Sequence, residues 1–380
     1  MPRVCLVIDN LNIGGSEIDL ADLARGLHKR GYHVFICCLR AGGALVKEVE
    51  QAGVKVVILG KKSRFDFTLM LRLADLLKKE KIDIVHSSLF SANFFSRTAA
   101  ILAGTPVIIA SDQSLGIGKG FLRTSIDRIL KYCTDMIISD STAVSRLFVE
   151  RDHYPPQKVR AIVNGIDLTK LNGTGWREEA RKELLIGDDE LIAGTLTRFT
   201  FEKGLVVFAD AMPLILQACK NCRFLIVGDA ELEQEKKYKR ELEKKIKELG
   251  IEKKIIFTGF RRDIGRMLAA MDVFVSPSII ENFPNTVMEA MGAGKSVVAT
   301  EVGSIREAVI ENQTGFLVPA GNVQALAEAI ILLFKNKGLN EKMAVAGKER
   351  AFRCFSRERV VGEAVEVYQK FFPTPVIPNN

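Results

Sequence analysis

No stretch of this sequence reaches about 18 consecutive apolar residues, which excludes a hydrophobic helix long enough to span a bilayer. The apolar run inside the opening "MPRVCLVIDNLNIGG" is too short for the hydrophobic region of a signal peptide and stops at Asp9. It reads as a first buried strand, and a cytoplasmic location is expected. Tryptophan occurs once, histidine four times, and aromatics make up 7% of the chain. With few stacking side chains and no nucleic-acid motif, binding to DNA or RNA is not expected. Cysteines number seven, an odd count, and Cys5, Cys37, Cys38 and Cys133 sit in apolar runs, which fits reduced thiols rather than a disulfide framework. Cys219 and Cys222 form a lone C-x-x-C with no second pair and no histidine at zinc spacing, so no metal site is expected there.

What is present is a strand–helix alternation through both halves of a 380-residue chain that is 47% hydrophobic, a length suited to two domains. Short β-branched runs ("VCLVID", "HVFICC", "KVVIL", "IDIVHS", "PVIIAS", "MIISD", "VRAIV") are continuously apolar, the mark of strands buried on both faces of a parallel sheet. Between them lie amphipathic helices such as "EIDLADLARGLHKRG", closed by Gly31. After the polar break "DLTKLNGTGWREEARKELLIGDDE" the pattern restarts with "LIAGTLT", "RFLIVGD", "KIIFTGF", "VFVSPS" and "SVVAT". The expectation is α/β: two Rossmann-like, doubly wound parallel-sheet domains, residues 1–168 and 169–356, joined near 165–172. The run "EQEKKYKRELEKKIKELG" reads as a solvated helix with i,i+4 pairs. A last amphipathic helix from residue 357, with Val360, Val361, Ala364, Val367 and Tyr368 apolar, either finishes the second domain or bridges back to the first. The net charge is +8, of which residues 1–168 carry +6, so the first half suits an anionic partner or simply a soluble surface.

In open α/β sheets ligands sit beyond the carboxyl ends of the strands, at helix N-termini. "DNLNIGGSE" places Gly14 and Gly15 after the first strand, where they allow a tight turn and a close backbone approach. "TRFTFEKG" sets Arg198 and Lys203 five apart after the first strand of the second half, a spacing that two cations gripping a diphosphate could use. "IVGDAE" offers Gly228, and "FTGFRRD" offers Gly259, Arg261 and Arg262. "SPSIIENFPNTVMEAMGAGK" carries Glu281 just outside a helix and Glu289 inside it, with Pro284 placed for the first helical position. Each pattern is also compatible with an ordinary strand–helix turn.

Together, and in order, these residues make the chain resemble the retaining glycosyltransferases of family 4, which have the GT-B fold of two Rossmann-like domains facing an interdomain cleft. The resemblance rests on E-x7-E (Glu281, Glu289), R-x4-K (Arg198, Lys203), "GGSE", "VNGID", "VGD", "DVFVSPS" and "VATEVGSIREAV…TGFLV". It implies a UDP- or GDP-sugar donor, transfer of a hexose-type sugar with retention to an acceptor hydroxyl, and polysaccharide or glycolipid biosynthesis. Arg198 and Lys203 would hold the diphosphate in place of a metal, so neither metal nor cofactor is expected. Glu289 would hold the ribose hydroxyls and Glu281 the transferred sugar, with Asn282, Phe283, Pro284 and Asn285 around them. Gly14, Gly15 and Gly228 would approach the donor. The final helix, 357–380, would cross back to complete an acceptor-binding first domain.

Two positions depart from the family pattern. Asn282 stands where glycine is usual, and Gln113 stands where many members have a histidine that meets the sugar. His86 matches a family histidine at a strand end and is carried as a possible sugar contact beside Gln113. "GKGFLRTSIDRILKYC" mixes Lys119, Arg123, Arg128 and Lys131 with Phe121, Leu122, Ile126, Leu130 and Tyr132, suggesting a lipid-linked or glycan acceptor presented at an anionic membrane, or else a core helix with a polar back. Two other readings stay open: a nucleotide-sugar epimerase of the same fold, and a non-catalytic nucleotide-sugar-binding subunit.

Overall fold

The computed structural model describes residues 1–63, 66–112, 121–281 and 283–373. Gln113 and Asn282 lie outside the described residues, as does Lys119. The chain divides into two compact units, Met1–Gly165 with the segment from Arg357, and Ile166–Ser356. The division falls three residues before the boundary read from the sequence. The polar stretch after it is not a plain linker. It contains the helix Trp176–Glu183, whose Arg177 and Arg181 reach Asp272 at 2.6 and 3.6 Å.

The first unit is a parallel sheet of seven strands: β1 (Arg3–Ile8), β2 (His33–Cys38), β3 (Lys55–Ile58), β4 (Ile84–Ser88), β5 (Val107–Ser111), β6 (Met136–Ser139) and β7 (Val159–Ala161). They are ordered β3-β2-β1-β4-β5-β6-β7. Strand period two explains why the runs are continuously apolar. Val4, Leu6 and Ile8 of β1 enter one core, while Cys5 and Val7 enter the core on the opposite face. The first core is closed by the helices Gly15–Lys29 and Arg357–Gln369. A Cβ on Gly26 would lie 2.3 Å from Val361 Cγ2, so glycine at that position lets the two helices close on each other. An ion pair from Arg357 to the buried Asp22 adds to the seam. The sequence left the last helix open between two destinations; its Val361, Ala364, Val367 and Tyr368 belong to the first unit's core. All seven cysteines are free, and burial pushes the Cys5 and Cys38 thiols up to about 12, so they stay protonated packing groups.

His86, on β4, is 4% exposed. Its Nδ1 lies 2.7 Å from the Tyr368 hydroxyl and its Nε2 2.7 Å from Ser111 Oγ. With both nitrogens engaged inside the core, by Tyr368 and Ser111, His86 pins the last helix to the sheet. Burial lowers its pKa from 6.5 to about 4. Below pH 6.5 the unfolded chain therefore takes up a proton that the folded chain refuses until about pH 4. The stability that neutral His86 contributes is complete above pH 6.5 and is lost as pH falls towards 4, about 3 kcal/mol in all. Urea unfolding across this window should show His86→Gln, which keeps hydrogen-bonding atoms but does not titrate, flatter than the parent by about that amount. Equal slopes would mean that His86 takes up its proton in the fold at the same pH as in the unfolded chain.

The second unit is a parallel sheet of six strands: β8 (Leu191–Leu196), β9 (Cys222–Val227), β10 (Ile255–Phe257), β11 (Val273–Ser276), β12 (Ser296–Thr300) and β13 (Gly315–Val318), ordered β10-β9-β8-β11-β12-β13. Helices Leu205–Ala218 and Val323–Lys335 cover one face through Phe208, Met212, Ile215, Ile330 and Leu333. The chain leaves β8 towards β9 and β10 but leaves β11 towards β12 and β13. The connections diverge between β8 and β11, which opens a crevice at their carboxyl ends.

Candidate active site

The loops after β8 and β11 carry the residues singled out by the sequence, and backbone bonds tie them together. Both Ile279 N–H (2.7 Å) and Ile280 N–H (3.2 Å) donate to the Glu202 carbonyl. Gly204 ends the turn Phe201–Lys203 with φ +64°, and a Cβ there would sit 1.9 Å from the Pro277 carbonyl oxygen. Glycine is thus needed both for the left-handed backbone and for the contact between loops. Thr300 Oγ1 donates to the Ser278 carbonyl and, at 3.3 Å, to that of Ser276, fixing the second loop from β12.

This frame brings Lys203 Nζ to 2.7 Å from Glu281 Oε2, with the side chains 24% and 13% exposed. Ser278 Oγ donates to the same carboxylate oxygen at 3.3 Å. Arg198 Nη1 lies 4.0 Å from Glu235 Oε1. Arg198, Lys203, Glu235 and Glu281 line a pocket of about 610 Å³, together with the aromatic Phe201 and Tyr238. The carboxyl group of Glu202 in its wall is held below the usual range, first by its own backbone N–H and then by the Thr200 hydroxyl. Of the three cations that line the pocket, Arg198, Lys203 and Lys237, the first two follow β8 directly, and among its carboxylates Glu281 is the one fixed by Lys203, a set able to take a diphosphate beside a polyhydroxyl group.

Glu289 is half-buried on the helix Asn285–Gly292, which starts at the far side of the Glu281 loop. Phe283 and Pro284 are buried, and Pro284 caps the helix rather than opening it, one position earlier than the sequence reading placed it. The Asn285 N–H donates to the Phe283 carbonyl at 3.1 Å. Gly228 is a close-approach glycine, but the group approached is protein backbone. At φ +140° its Cβ position lies 1.9 Å from the Thr197 carbonyl oxygen, and its N–H donates to the Gly259 carbonyl at 3.0 Å. Arg261 is taken up by Asp263 (2.8 and 2.7 Å) and Glu183 (2.6 Å). In the first unit, Gly14 caps the helix beyond β1 in extended backbone and Gly15 begins it, so neither uses a left-handed conformation. The sequence reading missed Glu235, hidden in a charged run whose helix starts at Leu232 without the Ser or Thr that marks a capping box. Among the described residues no group of three or more His, Cys, Asp or Glu is arranged to hold a metal ion.

Two family models match in succession: Glycosyltransferase Family 4 over residues 13–170 and Glycosyl transferases group 1 over residues 177–350. The chain is 27% identical over 285 residues to the UDP-Gal:alpha-D-GlcNAc-diphosphoundecaprenol alpha-1,3-galactosyltransferase of Escherichia coli, covering 72% of each chain. It is 25% identical to the phosphatidyl-myo-inositol mannosyltransferase of Mycobacterium leprae, over 94% of this chain and 93% of that one. The fold matches that of Anabaena HepE, solved in complex with UDP and glucose, with a TM-score of 0.84, 23% identity, and coverage of 97% of this chain and 100% of that one. Two consecutive family models, a GT-B fold and a pocket at the strand ends built from R-x4-K and the first glutamate of E-x7-E lead to one assignment: the chain belongs to the family 4 glycosyltransferases.

Proposed function

We propose that the protein transfers a hexose-type sugar from a UDP- or GDP-sugar to an acceptor hydroxyl, retaining the anomeric configuration and using no metal. The observation that carries this reading is the Lys203–Glu281 pair at 2.7 Å in a pocket shared with Arg198. Arg198 and Lys203 neutralise the diphosphate, whose negative charge grows as the sugar–phosphate bond breaks; that is the task a divalent cation performs elsewhere. Lys203 exchanges one anion, Glu281, for another, the phosphate. Glu281, released, accepts hydroxyls of the sugar, and Glu289 accepts those of the ribose. The departing phosphate takes the acceptor's proton, so no separate base is required of the protein.

The E. coli relative's name specifies a UDP-sugar and a diphosphoundecaprenol-linked acceptor, and the M. leprae relative's name specifies a phosphatidylinositol. These favour a lipid-linked acceptor in glycan or glycolipid synthesis. An anionic membrane face suits the first unit. Ile129 and Tyr132 are 70% and 78% exposed beside the exposed Arg128, while Leu130 is buried. Among the described residues no helix is long and apolar enough to cross a membrane, so contact would be peripheral.

The test is a thermal-shift panel of UDP, GDP and their sugars in EDTA, followed by transfer assays with lipid-linked acceptors. A donor held at about 100 times its Kd should raise the unfolding midpoint by about 2–4 °C with EDTA present. Transfer that vanishes in EDTA and returns with Mg²⁺ or Mn²⁺ would refute the metal-independent part. The absence of any nucleotide response would refute the donor site.

A further inference from the structure

The helix Glu233–Glu248 carries its acids outward, with the side chains of Glu233, Glu241 and Glu248 81%, 61% and 58% exposed. Glu235 differs, at 7%. A carboxylate is rarely buried unless its oxygens are satisfied. Here Oε2 accepts the N–H groups of Glu231 (2.9 Å) and Leu232 (3.1 Å), anchoring the group at the start of the helix. The other oxygen is turned to Arg198, 4.0 Å away. Among the described residues Glu235 is the carboxylate within ion-pair distance of Arg198, whose side chain is otherwise 73% exposed. An exposed pair at that distance contributes little to stability. Its consequence is orientation, because a long flexible cation is kept at the wall of the pocket that also holds Lys203 and Glu281.

We infer that Glu235 is a positioning residue: held by two backbone N–H groups, it keeps the Arg198 guanidinium where the donor's diphosphate arrives. Tethering reduces the side-chain freedom that Arg198 must give up on binding, which strengthens the bound state without new contacts to the ligand. The inference rests on the donor reading of Arg198 given above.

Glu235→Gln separates the two tasks of the residue. The amide oxygen still accepts the capping N–H groups, but the charge facing Arg198 is gone. UDP and GDP binding is measured by calorimetry for the parent, Glu235→Gln, Arg198→Ala and the double variant, alongside unfolding midpoints. Glu235→Gln is expected to keep its midpoint within about 2 °C while binding the preferred nucleotide about two- to fivefold more weakly, and to add almost nothing in the Arg198→Ala background. Parent-like binding by Glu235→Gln, or a penalty that multiplies undiminished with that of Arg198→Ala, overturns the positioning role and leaves the donor reading intact. Parent-like binding by Arg198→Ala, or no binding by the parent, overturns both.

Discussion

Lys203→Ala should lower kcat about 10²- to 10³-fold, the loss typical when one preorganised electrostatic contact to a developing charge is removed. Lys203 is the better placed of the two cations. Its side chain is 24% exposed against 73% for Arg198, so its field is less screened by water and salt. Its position is also set three ways: by the turn Phe201–Lys203, by Gly204 behind it, and by the ion pair to Glu281. Arg198→Ala should therefore cost less, and its cost should fall faster with added salt. Folding is a possible confounder, because the variant leaves Glu281 only the 3.3 Å bond from Ser278 among the contacts described above. The comparison is made at matched temperatures below the midpoint of each variant, with single-turnover rates on a saturating donor. A variant that keeps parental turnover there would remove Lys203 from the chemistry and, with it, the reason for expecting no metal.

The two sheets were legible because strands buried on both faces are continuously apolar, a signal that survives in one sequence. β1 and β9 are examples, with almost every residue buried. The loop positions were legible for a different reason: a crevice at a switch point lies at strand ends, where charges, glycines and helix starts leave local spacings. What escaped was whatever depended on distant packing. His86 read as a strand-end residue but lies in the middle of β4, where its ring meets Tyr368, 282 positions away. Gly228 follows a strand like a phosphate-approach glycine, but it is Thr197 that comes close. Glu235 hides in a run of charges because a helix period alone does not say which side meets Arg198. The helix Trp176–Glu183 read as a polar break because its buried groups include Arg181, whose partners, the carbonyls of Ala270, Gly187 and Glu190, carry no sequence signature.

Gly204→Ala should be far more damaging than Gly250→Ala, although the two glycines have nearly the same backbone, φ +64° and +66°. Gly250 follows the helix Glu233–Glu248 as a C-terminal cap, its N–H donating to the Lys247 carbonyl at 3.0 Å, and a Cβ there would meet nothing within 4 Å. Alanine at 250 therefore costs only the left-handed conformation, about 1–2 kcal/mol. At 204 the same conformational cost is joined by a Cβ 1.9 Å from the Pro277 oxygen, a backbone atom that cannot rotate away. To relieve the clash the loop after β8 must separate from the loop after β11, stretching the bonds from Ile279 and Ile280 to Glu202 and drawing Lys203 from Glu281. We expect a total loss of about 3 kcal/mol or more, in the range of overpacking added to conformational strain. Denaturant unfolding of the two variants measures the difference directly. Nucleotide binding reports the second consequence, since only the substitution at 204 should weaken it. Equal stability losses at 204 and 250 would mean that the two loops part without cost, and that the Lys203–Glu281 geometry is not held by their contact.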